Sequence, residues 1–247
     1  MNPIMVWEPR TYRDRVDAPG LVSFQVVHAE TDLQVSAVRD LRAEALAAVL
    51  DVRAELERYI AGHPHFADTF APVDVESGAP EIVRAMAGAG AVAGTGPMAA
   101  VAGAVAERVA RAIAPLSCEV IVENGGDLYL IGQTLRRVLL VAGDSPLSGR
   151  LAIELDAAEM PVAVCTSSGK VGHSVSLGEA HAVTVLAGDG ALADAVATAT
   201  GNVVHGAGSI DRALARAMGV PGIRGAVIVV GDRVGAAGGI RFAPVAG

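Results

Sequence analysis

The sequence predicts an α+β fold in which helices pack on one face of antiparallel sheets. Three observations predict it. Strand-like runs come in pairs, helical runs come in pairs between them, and the order of strands, two helices and strands occurs once in each half of the 247 residues. Hydrophobic residues make up 52% of the chain but aromatic ones only 3%, so the core is built from Ala and Val and its elements must approach closely.

In chain order, Leu21 to Ala29 alternate and are β-rich, Glu30 to Asp32 form an acidic turn, and Leu33 to Val38 read as a second strand pairing with the first as a hairpin. From Val38 to His63 the apolar positions Leu41, Ala45, Ala48, Val49, Val52, Leu56 and Ile60 recur three or four apart, which predicts a long amphipathic helix. Pro64 keeps His63 and His65 off a shared helix face, which places them at a helix terminus rather than a metal site. A loop containing Asp68 and Asp74 leads to helices over Glu81 to Ala89 and Pro97 to Ile113.

The end of the first of these helices and the start of the second lie within Met86 to Ala106, twenty-one residues without a charge. Five glycines and a proline make that stretch a poor membrane span and a good buried core. Gly94-Thr95-Gly96-Pro97 punctuates its middle and predicts a helix start at Pro97. Gly94 and Gly96 suit either close helix packing or a ligand cradle.

Strands follow at Cys118 to Glu123, Asp127 to Ile131 and Arg136 to Ala142. The turn region Gly143 to Arg150 divides a first half, 1–148, from a second, 149–247. In the second half, strands are predicted at Leu151 to Leu155, Pro161 to Thr166 and Ala182 to Leu186. Helices come next at Ala191 to Val204 and Ser209 to Met218, then strands at Ile223 to Val230 and Val234 to Phe242.

A formal charge of -8 leaves no basic field for nucleic acid or an anionic membrane surface, so the expected partners are a small molecule, which the hydroxyl-rich segment from Cys165 to Ser174 makes a small phosphorylated ligand, or a protein, and homo-oligomers are compatible with the composition. Cys118 and Cys165 lie far apart and outside any zinc-type spacing, which excludes a disulfide framework. Glu8, Arg10, Arg13 and Asp14 precede any apolar run, so no secretory signal is read and the expected location is the cytoplasm.

Three segments combine glycine with polar side chains. In Glu123-Asn124-Gly125-Gly126-Asp127, two glycines between strands make a hairpin turn whose bare backbone can approach a ligand while Asn124 and Asp127 hydrogen-bond it. The run Cys165-Thr166-Ser167-Ser168-Gly169-Lys170-Val171-Gly172-His173-Ser174 leaves an apolar strand with hydroxyl donors and an imidazole, without the glycine spacing of a P-loop. In the third, Asp194 and Thr198 stand on one face of an Ala- and Val-rich helix, where an unpaired carboxylate is costly and a hard cation held through oxygen would relieve it. Asp189, not Asp194, is placed to cap that helix.

Together with Thr31-Asp32-Leu33 and Gly96-Pro97-Met98-Ala99-Ala100-Val101-Ala102-Gly103-Ala104, these motifs resemble the UPF0280 family, a divergent branch of the ApbE-like superfamily, over nearly the whole chain. The resemblance implies two T-fold-like halves of two strands, two helices and two strands. Its better-known members are Mg²⁺-dependent flavin transferases that split FAD and attach FMN to a threonine of a target protein. By that resemblance Gly125, Gly126 and Asp127 are the Gly-Gly-Asp turn beside a flavin site, and Asn124, Gly94 and Gly96, read above as ligand contacts, join them as candidate cofactor-binding residues. Thr166, Ser167 and Ser168 precede the superfamily's histidine loop, His173 is that histidine, and Asp194 with Thr198 matches the metal-binding Asp-Ala-x-x-Thr, which makes His173 and Asp194 the implied catalytic pair. Where the transferases carry Lys-Gly-x-x-x-Asp, this chain reads Gly96-Pro97-Met98-Ala99-Ala100-Val101. The divergent branch therefore also implies an alternative, a non-catalytic or accessory protein in anaerobic sulfur and homocysteine metabolism.

Overall fold

The structure, a computed structural model, describes residues 12–13, 18–168 and 178–245. Strands β1 (Val22–His28) and β2 (Thr31–Ala37) form the expected hairpin, from Val22 opposite Ala37 to His28 opposite Thr31. Helices α1 (Arg42–Gly62), the short α2 (His65–Asp68), α3 (Glu81–Ala93) and α4 (Val101–Ile113) follow, and His63 is the residue that closes α1. Then come β3 (Val120–Asn124), β4 (Asp127–Ile131), β5 (Arg136–Leu139), β6 (Leu151–Leu155), β7 (Val162–Ser167) and β8 (Ala182–Ala187). The chain continues with α5 (Gly190–Gly201), α6 (Ile210–Met218), β9 (Ile223–Val230), β10 (Arg233–Gly238) and β11 (Phe242–Pro244).

Eight strands build one antiparallel sheet in the order β1-β2-β3-β4-β7-β8-β9-β10. Both helical excursions, α1 to α4 and α5 to α6, connect strands that are neighbours in it. Helices cover one face, where Leu33, Val35, Val122, Tyr129, Cys165, Val185 and Ile228 share a core with α1, α3, α4, α5 and α6. Over the centre of the other face lies a second, three-stranded sheet, β11-β6-β5, closing a smaller core of Val138, Ile153, Leu155, Val162, Val164, Leu186, Val227 and Val229. Successive residues of β7 therefore enter different cores, which is why Val162 to Cys165 is apolar without alternation.

Two expectations are corrected. The helix foreseen from Pro97 opens as a 3₁₀ turn, Pro97–Ala100, and becomes α-helical only at Val101; Ala100, at the N-cap, has no side-chain oxygen to hold the first amides. The single strand foreseen over Val234 to Phe242 is two. Gly238, at φ 77°, turns the chain, the Gly239 N–H bonds Arg224 O at 2.8 Å, and β11 leaves to pair with β6.

The uncharged stretch is buried core. Its two helical parts meet at 103°, and no single helix among the described residues is long and apolar enough to cross a membrane.

Candidate functional site

Helices α4 and α5 touch backbone to backbone. A methyl group built on Gly103 would lie 2.2 Å from the Gly190 carbonyl oxygen, and one built on Gly190 would lie 2.4 Å from that of Gly103. Glycine is therefore required at both positions by close approach. Each helix then supplies an acid to the other's first turn. The Gly103 N–H donates to Asp194 Oδ2 at 2.9 Å, and the Gly190 N–H donates to Glu107 Oε2 at 2.6 Å. Asp194 thus caps α4 from α5, which accounts for an acid that its own helix did not need, while Asp189 caps α5 by accepting from the Leu192 N–H at 2.8 Å.

The β3–β4 turn adds a second carboxyl. Asn124 and Asp127 pair across a two-residue loop, with Gly125 at φ 67° and Gly126 at φ 105°, a doubly left-handed turn that favours glycine at both places. The Asn124 Nδ2 donates to the Ala102 carbonyl at 3.2 Å, tying the turn to α4. Asp127 shares the helix-facing side of β4 with Tyr129 and accepts from the Thr166 N–H at 3.0 Å, tying it to β7. Cys165, one residue earlier on β7, is fully buried beside it.

This corner is electrically unusual. Burial raises the Asp194 carboxyl to about 7, against the Gly103 and Ala102 amides that favour its charged form. Burial, and then the nearby Asp194, push Asp127 well above the usual carboxylate range. Burial and the same two carboxyls push the Cys165 thiol up, so it stays protonated, and its Sγ donates to the Gly190 carbonyl at 3.7 Å. The Ser167 hydroxyl, on the helix-facing side of β7 with Cys165, is buried without a hydrogen-bond partner among the described residues. Among the described residues, no group of three or more His, Cys, Asp and Glu side chains is placed to hold a metal ion. An ion here would depend on carboxylate, hydroxyl and backbone oxygens with ligand oxygens or water.

Of the residues singled out in the sequence, Asn124, Gly125, Gly126, Asp127, Thr166, Ser167 and Asp194 come together at this junction. Thr198 lies one turn beyond Asp194, half-buried on α5. Thr166 contributes its amide; its hydroxyl turns to the opposite face and meets the Thr184 hydroxyl at 2.9 Å. The Ser168 hydroxyl donates to the His181 carbonyl at 2.8 Å. Gly94, at φ 77°, closes α3, and a methyl group on Gly96 would lie 1.9 Å from the Thr69 carbonyl oxygen, so both have a backbone role. His173 lies outside the described residues. Sequence reasoning missed Gly103, Glu107, Gly190 and Cys165. The signal for the first three was a glycine followed four residues later by an acid, present in both helices.

Comparison with known proteins gives the family and the fold. A family model described as AbpE bacteria matches residues 13–231. A UPF0280 protein of Methanocaldococcus jannaschii is 46% identical over 197 residues, covering 78% of this chain and 80% of the relative. One of Methanopyrus kandleri is 44% identical over 225 residues, covering 88% and 91%. Among solved structures, the apo flavinyl transferase ApbE of Pseudomonas stutzeri superposes with TM-score 0.60 at 18% identity, over 88% of this chain and 93% of that one. The flavin transferase ApbE of Vibrio cholerae gives 0.58 at 14%, over 88% and 96%. The structural likenesses establish the fold, and with the family match and the close relatives the chain belongs to the UPF0280 family, a branch of the ApbE-like proteins.

Proposed function

We propose that the protein binds a flavin nucleotide with Mg²⁺ at the junction of α4, α5 and the β3–β4 turn, with Asp194 and Thr198 as the protein's metal ligands. The observation that carries this reading is the pair of buried carboxyls, Asp127 and Asp194, which among the described residues have no cationic side chain beside them, next to a buried hydroxyl, Ser167, that has no hydrogen-bond partner among those residues. These residues fit the ion: Mg²⁺ takes oxygen ligands, commonly one or two carboxylates completed by phosphate oxygens and water. When bound, it would neutralise a pyrophosphate and favour the charged form of Asp194. The chain's own groups do the rest. The Gly103 amide fixes one oxygen of Asp194, the Thr166 amide orients Asp127, and Asp127 is suited to hold a proton near a reacting hydroxyl.

The known activity of the flavin transferases in the comparison extends the proposal to FMN transfer onto a protein target, with His173 as a catalytic partner of Asp194. A second reading, binding without transfer, is favoured by the start of the core helix, where Gly96 to Val101 offers neither lysine nor acid. We further propose that the sheet comprises two T-fold-like halves, 1–148 and 149–247, each supplying one of the two crossing helices.

The test is calorimetric titration with FAD, FMN and ADP, each with and without Mg²⁺. Mg²⁺-dependent FAD binding that disappears in Asp194→Asn is expected, and AMP release would then separate transfer from binding. Wild-type protein that binds none of the three overturns the flavin reading.

A further inference from the structure

The Thr31-Asp32-Leu33 motif has no place in the site as described, but its acid is one end of a buried network reaching the Gly-Gly turn. Arg13 donates from Nε to Glu123 Oε2 at 2.6 Å, from Nη1 to Asp32 Oδ1 at 2.8 Å, and from Nη2 to the Asp32 carbonyl at 2.8 Å. Its side chain is only 10% exposed, and that of Glu123 8%. The Tyr12 hydroxyl donates to Glu123 Oε1 at 2.7 Å, and the same oxygen accepts the Gly126 N–H at 2.8 Å. Glu123 therefore bridges residues 12–13 to the backbone of the turn that carries Asn124 and Asp127.

We propose that Tyr12 and Arg13 form a strap whose job is to position the Gly125-Gly126 turn, and through it Asp127 and Thr166, for ligand binding. The reasoning follows the bonds. Glu123 lies on the sheet face opposite the helices, so neither it nor Arg13 stands in the candidate site. Its carboxylate holds the Gly126 amide only while its own charge is compensated, because a buried carboxylate left without its cation swings toward water. Arg13 is the cation that compensates it, and a guanidinium can serve Glu123 and Asp32 at once, which a lysine cannot match with the same geometry. Releasing the Gly126 amide frees a turn that lies against the end of β7, where a methyl group on Gly126 would be 3.8 Å from the Thr166 carbonyl oxygen. The next bond along, Thr166 N–H to Asp127, then loses its fixed acceptor. Arg13 and Tyr12 are thus positioning residues, acting on the site through Glu123.

The inference rests on the site proposed above, but its test is separable. Amide hydrogen exchange in the full-length, unliganded protein is compared for wild type, Arg13→Gln, Arg13→Lys and Tyr12→Phe, with flavin titration in Mg²⁺ alongside. In Arg13→Gln the Gly126 and Thr166 amides should exchange about tenfold to a hundredfold faster, the range set by losing a charge-assisted hydrogen bond. Amides of β8 and β9 should keep their wild-type rates, Arg13→Lys should restore part of the protection, and flavin affinity should fall with the protection. Should Arg13→Gln fold too poorly to measure, Tyr12→Phe, which leaves the ion pairs intact, should still speed Gly126 selectively. Wild-type rates at Gly126 and Thr166 in Arg13→Gln, or a uniform acceleration across the sheet, would overturn the strap. Selective loosening in a protein that binds no flavin would support the strap and sink the flavin reading alone.

Discussion

Helices α4 and α5 meet with the same spacing, a glycine at the contact and an acid four residues later, yet the two acids have opposite electrical surroundings. Glu107 shares its charge with a resident cation. Arg111 Nε donates to Glu107 Oε1 at 2.7 Å, and Arg111 Nη2 reaches the Tyr129 hydroxyl at 2.6 Å. Asp194 has Thr198 in the place along its helix that Arg111 holds on α4, and its near neighbour is another carboxyl. Among the described residues, one corner pairs its acid with a cation, and the other brings two carboxyls together without one. The difference separates the two ends of one helix crossing: one is charge-compensated, and the other is where the proposed chemistry would sit.

The largest expected effect comes from removing the odd charge. Asp194 carries its raised value, about 7, only in the folded state, so the folded protein holds a proton that the unfolded chain has already released. Stability is then fullest below the unfolded carboxylate range and is lost as pH rises toward 7, by at most about 4 kcal/mol. Asp194→Asn keeps an acceptor for Gly103 and should flatten that fall, seen as a higher urea midpoint than wild type at pH 8 and a gap about a third as large at pH 5. A midpoint that still drops as steeply in the variant would remove Asp194 as the cause. Mg²⁺ should protect wild type more at pH 8 than at pH 5, and chelation should reverse it.

Next, Gly103→Ala and Gly190→Ala should each cost about 3 kcal/mol, because the new methyl group meets a carbonyl that cannot step aside. Similar losses from both would show that the packing is symmetric and only the electrostatics differ. Arg111→Ala should cost about 2 kcal/mol by leaving Glu107, mostly buried, without its cation. If instead denaturation shows no change, the contrast between the corners is not one of charge compensation. Smallest in stability is Thr198→Val, within about 0.5 kcal/mol at a half-buried position. It should nonetheless weaken Mg²⁺-dependent flavin binding, and unchanged calorimetric affinity would take Thr198 out of the metal site.

Local patterns made much of this legible. The β1–β2 hairpin followed from alternation and α1 from its apolar stripe, and the Gly125-Gly126 turn followed from composition, because each depends on neighbours in sequence. Asp194 also stood out, as a carboxyl with no local reason to be buried. What remained hidden depends on distant partners. Glu107 looked like half of an ordinary pair with Arg111 four residues away, and only the crossing of α4 and α5 reveals that its other oxygen caps a helix 83 residues on. Cys165 looked like one more apolar strand residue, since the Asp127 carboxyl that engages it arrives from another strand. The small sheet was invisible because β11 joins β6 by a turn at Gly238 that breaks an otherwise continuous strand pattern.

The glycine contact between α4 and α5 also limits how the molecule can move. Shear between packed helices works by side chains sliding and changing rotamer, and two backbones in contact have no such layer to deform. The crossing is therefore a fixed pivot, and any opening for the proposed ligand would fall to the segments at its margins, above all the Gly-Gly turn held from behind by Glu123.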